Sequence, residues 1–382
     1  MIPGRILFPT HLCKAEHGMQ HLLSLIQQLI SFPTLAERPD EIKRCTNFIR
    51  NLLKKNDVPH EVLHIEDSPS ILVTPVPEKC PILLISHMDV VAGSDRLFVP
   101  RIEGGYLWGR GAVDDKYAIA LSLFLLFKKR ESLRKAGLDP QNLPFGLLIT
   151  SDEESGGERG TAAILPRLSC DFAIVLDGGR PEEIVVRQKG ILRLRLEVKG
   201  KSAHGARPWL GKNALEGLME DLMRIRPLFD GKNSDHWEKT LNIGRMEGGR
   251  SVNQVPDQAF ALLDIRFTEK ENPAEIFEEM KRVLRHGALV QESLDPVFTA
   301  GASPYLDLLT QALPDIRLGQ EHGASDAHYL SKNGIPGIVW GADGEMSQHS
   351  DEERLRLDSL AALLHHMQVF LDLCHERKGF LP

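Results

Sequence analysis

The sequence predicts an α/β protein, a mixed sheet flanked by helices and interrupted by a smaller inserted domain. Three observations carry this reading. Apolar runs of strand length alternate with longer segments of helical periodicity. Several of the strand-like runs end in histidine or carboxylate residues, at His87 and Asp89, at Asp152 to Glu154, and at Asp177. Between Arg187 and Val297 the pattern changes: Ile191 to Val198 alternates residue by residue, as a half-exposed strand does.

Taken in order, Leu22 to Ile30 has helical spacing, and Pro33 stops it. Pro39-Asp40 opens a second helix with Ile42, Cys45, Ile49 and Leu52 on one face. His60 to Thr74 holds two short strands, and Ile82 to Ile85 is the next. Lys116 to Lys135 is a long apolar helix, suited to burial. Phe145 to Thr150 and Phe172 to Leu176 are strands, with a short helix at Thr161 to Leu168 between them. Gly337 to Trp340 is a strand, a loop with His349 follows, and Leu355 to Leu373 closes the chain as a helix. The central segment reads strand, helix (Asn213 to Arg226), strand (Thr240 to Met246), strand (Ala259 to Phe267), helix (Pro273 to Arg285), strand (Ala288 to Glu292). That βαββαβ order is the ferredoxin-like unit. The expected division is residues 1–186 plus 298–382 as one domain and 187–297 as the insertion.

Composition narrows the function. The 382 residues carry a formal net charge of −7, which disfavours nucleic acid as a partner. No apolar segment approaches a membrane span. Five scattered cysteines without a CxxC pair fit reduced thiols in a cytoplasm. The first residues, through Gly18, read as an irregular extension.

Position makes the polar residues informative. In an open α/β sheet the ligand crevice lies outside the carboxyl ends of the strands. His87, Asp89, Glu153, Glu154, Asp177 and His349 all follow strand-like runs, and Asp114 follows a glycine-rich turn that can reach the same rim. Carboxylates gathered there repel one another and force protonation of at least one. Two divalent cations reverse this. One bridging carboxylate, plus a histidine and a further carboxylate per ion, leaves an open position for water. Asp115 reads as a cap of the helix after it.

The motifs SHMDVV, GRGAVDDK, TSDEESGG, SAHGARPWLGKNA, GRSVNQVP with DIRF, GASDA and QHSDEE occur in this order, within a resemblance that runs from about Leu22 to the C-terminus. Together they resemble the co-catalytic zinc aminoacylase/carboxypeptidase family, which includes acetylornithine deacetylase, succinyl-diaminopimelate desuccinylase and carboxypeptidase G. The resemblance implies a zinc-peptidase-like fold whose insertion serves as lid and dimerisation domain. It implies His87, Asp114 and Asp177 on one ion and Asp114, Glu154 and His349 on the other. Glu153 would be the general base, and Asp89 would orient His87 through its other ring nitrogen. In dimeric members the counterpart of His204 reaches the other subunit's oxyanion. Asn253, Arg266 and the Ser325 loop correspond to substrate-side residues, and the peptide after Asp114 is often cis. Where the family often has arginine this chain has His328.

The expected activity is hydrolysis of an amide or peptide bond, in an N-acyl amino acid or short peptide with a free carboxylate. Two zinc ions, or cobalt or manganese, would assist. The competing reading is a catalytically silent, metal-dependent binding protein of the same fold. Deacylase and dipeptidase are not separable from the motifs, because pocket residues set that choice.

Overall fold

The computed structural model describes residues 15–231 and 233–377. The N-terminal extension expected through Gly18 falls mostly outside these residues, as does Cys13; from Ala15 on, the chain is already helical. The chain divides into two compact units. The first comprises Met1–Val186, Ala300–Gly319 and Ser325–Pro382, and the second Arg187–Thr299 with Gln320–Ala324. The short segment Gln320–Ala324 therefore adds to the second unit a piece outside the expected span. Its ties are specific: Gln188 Nε2 donates to Glu321 Oε2 at 3.1 Å, and His322 lies 5.8 Å from Trp237, ring to ring.

The first unit is built on a mixed sheet. Its strands run in the spatial order Glu61–Ile65, Ser68–Val73, Phe145–Thr150, Lys79–His87, Ser169–Val175, Gly337–Val339 and Glu183–Gln188. The four from Phe145–Thr150 to Gly337–Val339 are mutually parallel. Parallel strands covered on both faces read as unbroken apolar runs, and Phe145–Thr150 is buried along its whole length. The helix Lys116–Lys135 is apolar on nearly all sides because it is buried nearly all round, from Lys116 to Leu123 without interruption. Among the described residues, no helix is long and apolar enough to cross a membrane.

The second unit is a four-stranded antiparallel sheet in the order Thr240–Gly248, Gln258–Phe267, Gly190–Lys199, Gly287–Asp295, with helices Ala214–Ile225 and Pro273–Val283. Strand alternation sorts its residues. Leu192, Leu194, Leu196 and Val198 enter the core, while Arg193, Arg195 and Glu197 face away from it. Asn213 caps the first helix by accepting from Leu215 N and Glu216 N, and Asn272 caps the second through Ala274 N.

Candidate metal centre

The parallel strands of the first unit deliver their carboxyl ends to one place. His87 ends its strand, Asp177 follows Val175 by two residues, Glu153 and Glu154 follow Thr150, and the loop after Val339 reaches His349. Two ligand sets result, His87 with Asp114 and Asp177, and Asp114 with Glu154 and His349. Within each set the donor atoms lie within 4.8 Å of one another. Asp114 belongs to both and divides its oxygens between them. Its Oδ1 is 3.0 Å from His87 Nε2, and its Oδ2 is 3.0 Å from His349 Nε2, which also lies 3.2 Å from Glu154 Oε2.

The surroundings fix each donor. His87 Nδ1 lies 3.0 Å from the backbone oxygen of Asp89, which as an acceptor places the ring proton on Nδ1 and turns the Nε2 lone pair to the cluster. The orienting atom is thus mainly the Asp89 carbonyl, since the nearest Asp89 carboxylate oxygen is 3.4 Å away. That carboxylate holds the next loop instead: it accepts from Glu153 N at 3.3 Å and Glu154 N at 3.0 Å. Asp115 departs from the expected helix cap. It makes no capping bond, is fully buried, and accepts from His87 N at 3.2 Å. The Asp115 side chain is directed to the strand end instead, where the buried His87 amide needs an acceptor; the Asp114–Asp115 peptide is cis. Tyr117, in the first turn of the buried helix, donates to Leu176 O and accepts from Ala342 N, linking the Asp177 and His349 loops.

One holding residue escaped the sequence reading. Glu353, in QHSDEE, is 1 % exposed and receives Arg110 Nη1 at 2.6 Å and Gly111 N at 2.9 Å, with Val113 N and Asp114 N farther out. It organises the GRGAVDD turn from 239 or more positions away, so no local pattern marks it. Gly111 is required in that turn: its φ is +84°, and a Cβ there would lie 2.8 Å from Lys116 Cδ.

The electrostatics suit cations. Burial opposes a charged His87, but the closeness of the Asp114 and Asp89 carboxylates outweighs burial and holds its pKa well above the usual range. Contacts with Asp114 and Glu154 push His349 up to about 10. Burial disfavours the Asp114 anion, yet His349 and His87 hold its pKa below the ordinary value. Burial raises Glu153 well above the ordinary range; His87 opposes this, and Asp177, Asp326 and Asp114 add to it. Without ions only histidine protons could offset these carboxylates, whereas divalent ions would do so and leave the His87 Nε2 lone pair to bind. The shared carboxylate and the His87 Nε2, buried with no hydrogen bond of good geometry, fit a two-cation centre.

The other expected residues lie elsewhere in the chain. Ser325 is buried in the first unit, and its Oγ accepts from Ala327 N at the start of a short helix. His328, the departure from the family pattern, is bonded through Nδ1 to Ser325 O and packs on Tyr329. His204, Asn253 and Arg266 belong to the second unit. His204 is exposed, and its Nδ1 accepts from Ala206 N at 3.0 Å. Asn253 Oδ1 accepts from Ser251 Oγ. Arg266 grips Asp264, two residues earlier on its own strand, through Nε at 2.7 Å and Nη2 at 3.1 Å.

A mixed sheet whose strand ends bring together two ligand sets sharing Asp114 can hold a pair of metal ions. Residues 83–374, well over half of the chain, match peptidase family M20/M25/M40. The chain belongs to this family of metal-dependent hydrolases of amide and peptide bonds. It is 30% identical over 237 residues to a probable carboxypeptidase of Aspergillus terreus, covering 59% of this chain and 53% of that protein, so this match spans about half of that relative's length. A probable succinyl-diaminopimelate desuccinylase of Staphylococcus epidermidis is 25% identical over 405 residues, covering 93% of this chain and 97% of that protein. An M20 family metallo-carboxypeptidase from Sulfolobus solfataricus has the same fold, with TM-score 0.72 at 18% identity over 93% of this chain and 99% of that one. A Bacillus subtilis structure described as a dinuclear metal binding peptidase of the M20 family aligns with TM-score 0.65 at 16% identity over 94% and 99%.

Proposed function

We propose that the chain is a binuclear zinc hydrolase that cleaves an amide bond beside a free carboxylate, in an N-acyl amino acid or a short peptide. The observation that carries this is the division of the two Asp114 oxygens between two histidine-carboxylate sets. His87, Asp114 and Asp177 would hold one ion, and Asp114, Glu154 and His349 the other. Bound divalent cations supply Lewis acidity toward a carbonyl and make a nearby water more acidic. The donor set admits cobalt or manganese as well as zinc.

Glu153 takes the proton of the attacking water and returns it to the leaving amine. Support comes from its position at the strand ends that carry both ligand sets, with Oε2 3.9 Å from His87 Nε2. Asp89 acts by holding His87 and the Glu153 and Glu154 amides. Arg266 and Asn253 bind the substrate carboxylate. The Arg266 pairing with Asp264 occupies Nε and Nη2 and leaves Nη1 to donate. The Ser325 loop lines the substrate side.

The second unit serves as lid and as homodimer interface, and His204 donates to the oxyanion of the other subunit's reaction. An Nδ1 that accepts from Ala206 N leaves the ring proton on Nε2 for that purpose. Free cysteines at Cys45, Cys80, Cys170 and Cys374 are consistent with a reducing cytoplasm. The names of two relatives, probable carboxypeptidase and probable succinyl-diaminopimelate desuccinylase, fit hydrolysis of a peptide or N-acyl bond.

The test is a hydrolysis screen of N-acetyl and N-succinyl amino acids against di- and tripeptides, each with added zinc, cobalt or manganese. Turnover of one class with two metal equivalents per chain is the expected result. Glu153→Gln should keep both equivalents and lose about 10²–10⁴ in turnover. Undiminished turnover in that variant removes Glu153 from the mechanism.

A further inference from the structure

The GASDA segment contains a buried carboxylate that the reading above leaves without a task. Asp326 is 3 % exposed and stands at the start of the helix Ala327–Asn333. A carboxylate at a helix start ordinarily caps the helix. Asp326 makes no capping bond; Ser325 Oγ takes the Ala327 amide instead. The Asp326 carboxylate turns to the loop that carries Glu153 and Glu154. Its Oδ2 accepts from the Thr161 hydroxyl at 2.5 Å, and Thr161 is fully buried. Its Oδ1 lies against Gly157, where an added Cβ would come within 2.2 Å of it.

The same helix makes a second contact with this loop. The Tyr329 hydroxyl donates to Gly156 O at 2.5 Å, and its ring edge would lie 3.0 Å from a Cβ at Gly157. Gly156 and Gly157 have φ of +110° and +67°, so the backbone follows a path few other residues adopt. The near end of the loop is pinned by Asp89 at the Glu153 and Glu154 amides. The far end is pinned by Asp152 Oδ2, which accepts from Arg159 N and Gly160 N. Tyr329 holds the stretch between through Gly156, while Asp326 lies against it at Gly157 and bonds just past its far end at Thr161. Burying a carboxylate there is costly when an apolar or neutral side chain could fill the space, and the cost indicates a directed role.

We propose that Asp326 is a positioning residue for Glu153, acting through Thr161 and Gly157 to set where the base sits. A segment placed on the substrate side thereby also holds the catalytic loop. The inference rests on the assignment of Glu153 as base. A base displaced by a fraction of an ångström loses rate while substrate binding stays, because the proton transfer alone depends on that distance.

The experiment uses the metal-loaded protein and a substrate that the unaltered chain hydrolyses. Asp326→Ala and Thr161→Val are compared for kcat, KM, metal content and melting temperature. Both should lower kcat about tenfold or more with KM within about twofold and two metal equivalents retained. Asp326→Asn, which keeps an acceptor for Thr161, should recover part of the rate. Thr161→Val gives the answer if Asp326→Ala does not fold. Unchanged kcat in Thr161→Val, or a rate loss that follows metal loss, overturns the proposal, the latter by assigning the effect to Glu154. An unaltered chain that hydrolyses nothing with two metals bound refutes the hydrolase reading itself, a separate outcome.

Discussion

The two units place the charges that matter most to them differently. The first buries charge: His87, Asp114, Asp115 and Glu353 are each under a tenth exposed, and each is held by a specific partner. The second buries little of it, Asp221 and Lys189 being the buried exceptions among its described residues, and spreads the rest along the outer side of an antiparallel sheet, where Arg195 meets Glu197, Arg245 meets Glu247 and Arg266 meets Asp264, each two residues apart on one strand. A charge in low dielectric is costly without its partner, while an exposed pair is screened by water. Substitutions should therefore cost most where a buried charge loses its partner and least where a pair faces water.

The largest effect is expected at Asp114. Asp114→Ala removes the residue common to both ligand sets and should abolish metal retention and turnover together, measured by elemental analysis and rate. Retention of two equivalents would contradict the bridging geometry. Next comes Arg110→Met, which leaves Glu353 buried without its cation; a loss of about 3–5 kcal/mol in denaturant unfolding at pH 8 is expected.

A smaller effect concerns pH in the metal-free chain. Burial and the charge of Asp114 outweigh Arg110 and push Glu353 up to about 7. A carboxyl whose folded pKa exceeds its ordinary 4.5 holds its proton longer in the folded state than in the unfolded one. Its contribution is present at low pH and is lost as pH rises through about 7. Glu353→Gln, neutral throughout, should flatten the fall of stability across that window. Metal at Asp114 offsets the repulsion and should flatten it too. An equally steep fall in the variant assigns the pH dependence to other groups. The smallest effect belongs to the second unit. Arg245→Ala should change stability by about 0.5 kcal/mol or less, because its pair is more than half exposed on the arginine side. A larger loss would show that the outer sheet face is covered in solution.

Much of the architecture was legible before the fold was known. Lys116–Lys135 and Phe145–Thr150 coincide with their apolar runs because periodicity and length are local properties. Pro39 opens a helix and Asn213 caps one for reasons contained within a few residues. Asp115 was misread because the rule for a residue before a helix is itself local, and the bond that won runs to His87, 28 positions away. Glu353 and Asp326 were opaque for the same reason, their partners lying at Arg110 and Thr161, 243 and 165 positions off.

By itself, then, the sequence determined the strands, the helices and the residue types that end them. Hydrophobic periodicity and turn chemistry act over a few residues and need no knowledge of the rest. Tertiary structure alone decided that four parallel strands lie side by side, so that His87, Asp114, Glu154, Asp177 and His349 converge, and that two distant acids hold the loops beneath them. Strand order and buried charge pairing are long-range choices, settled only when the whole sheet closes around the charges it must satisfy.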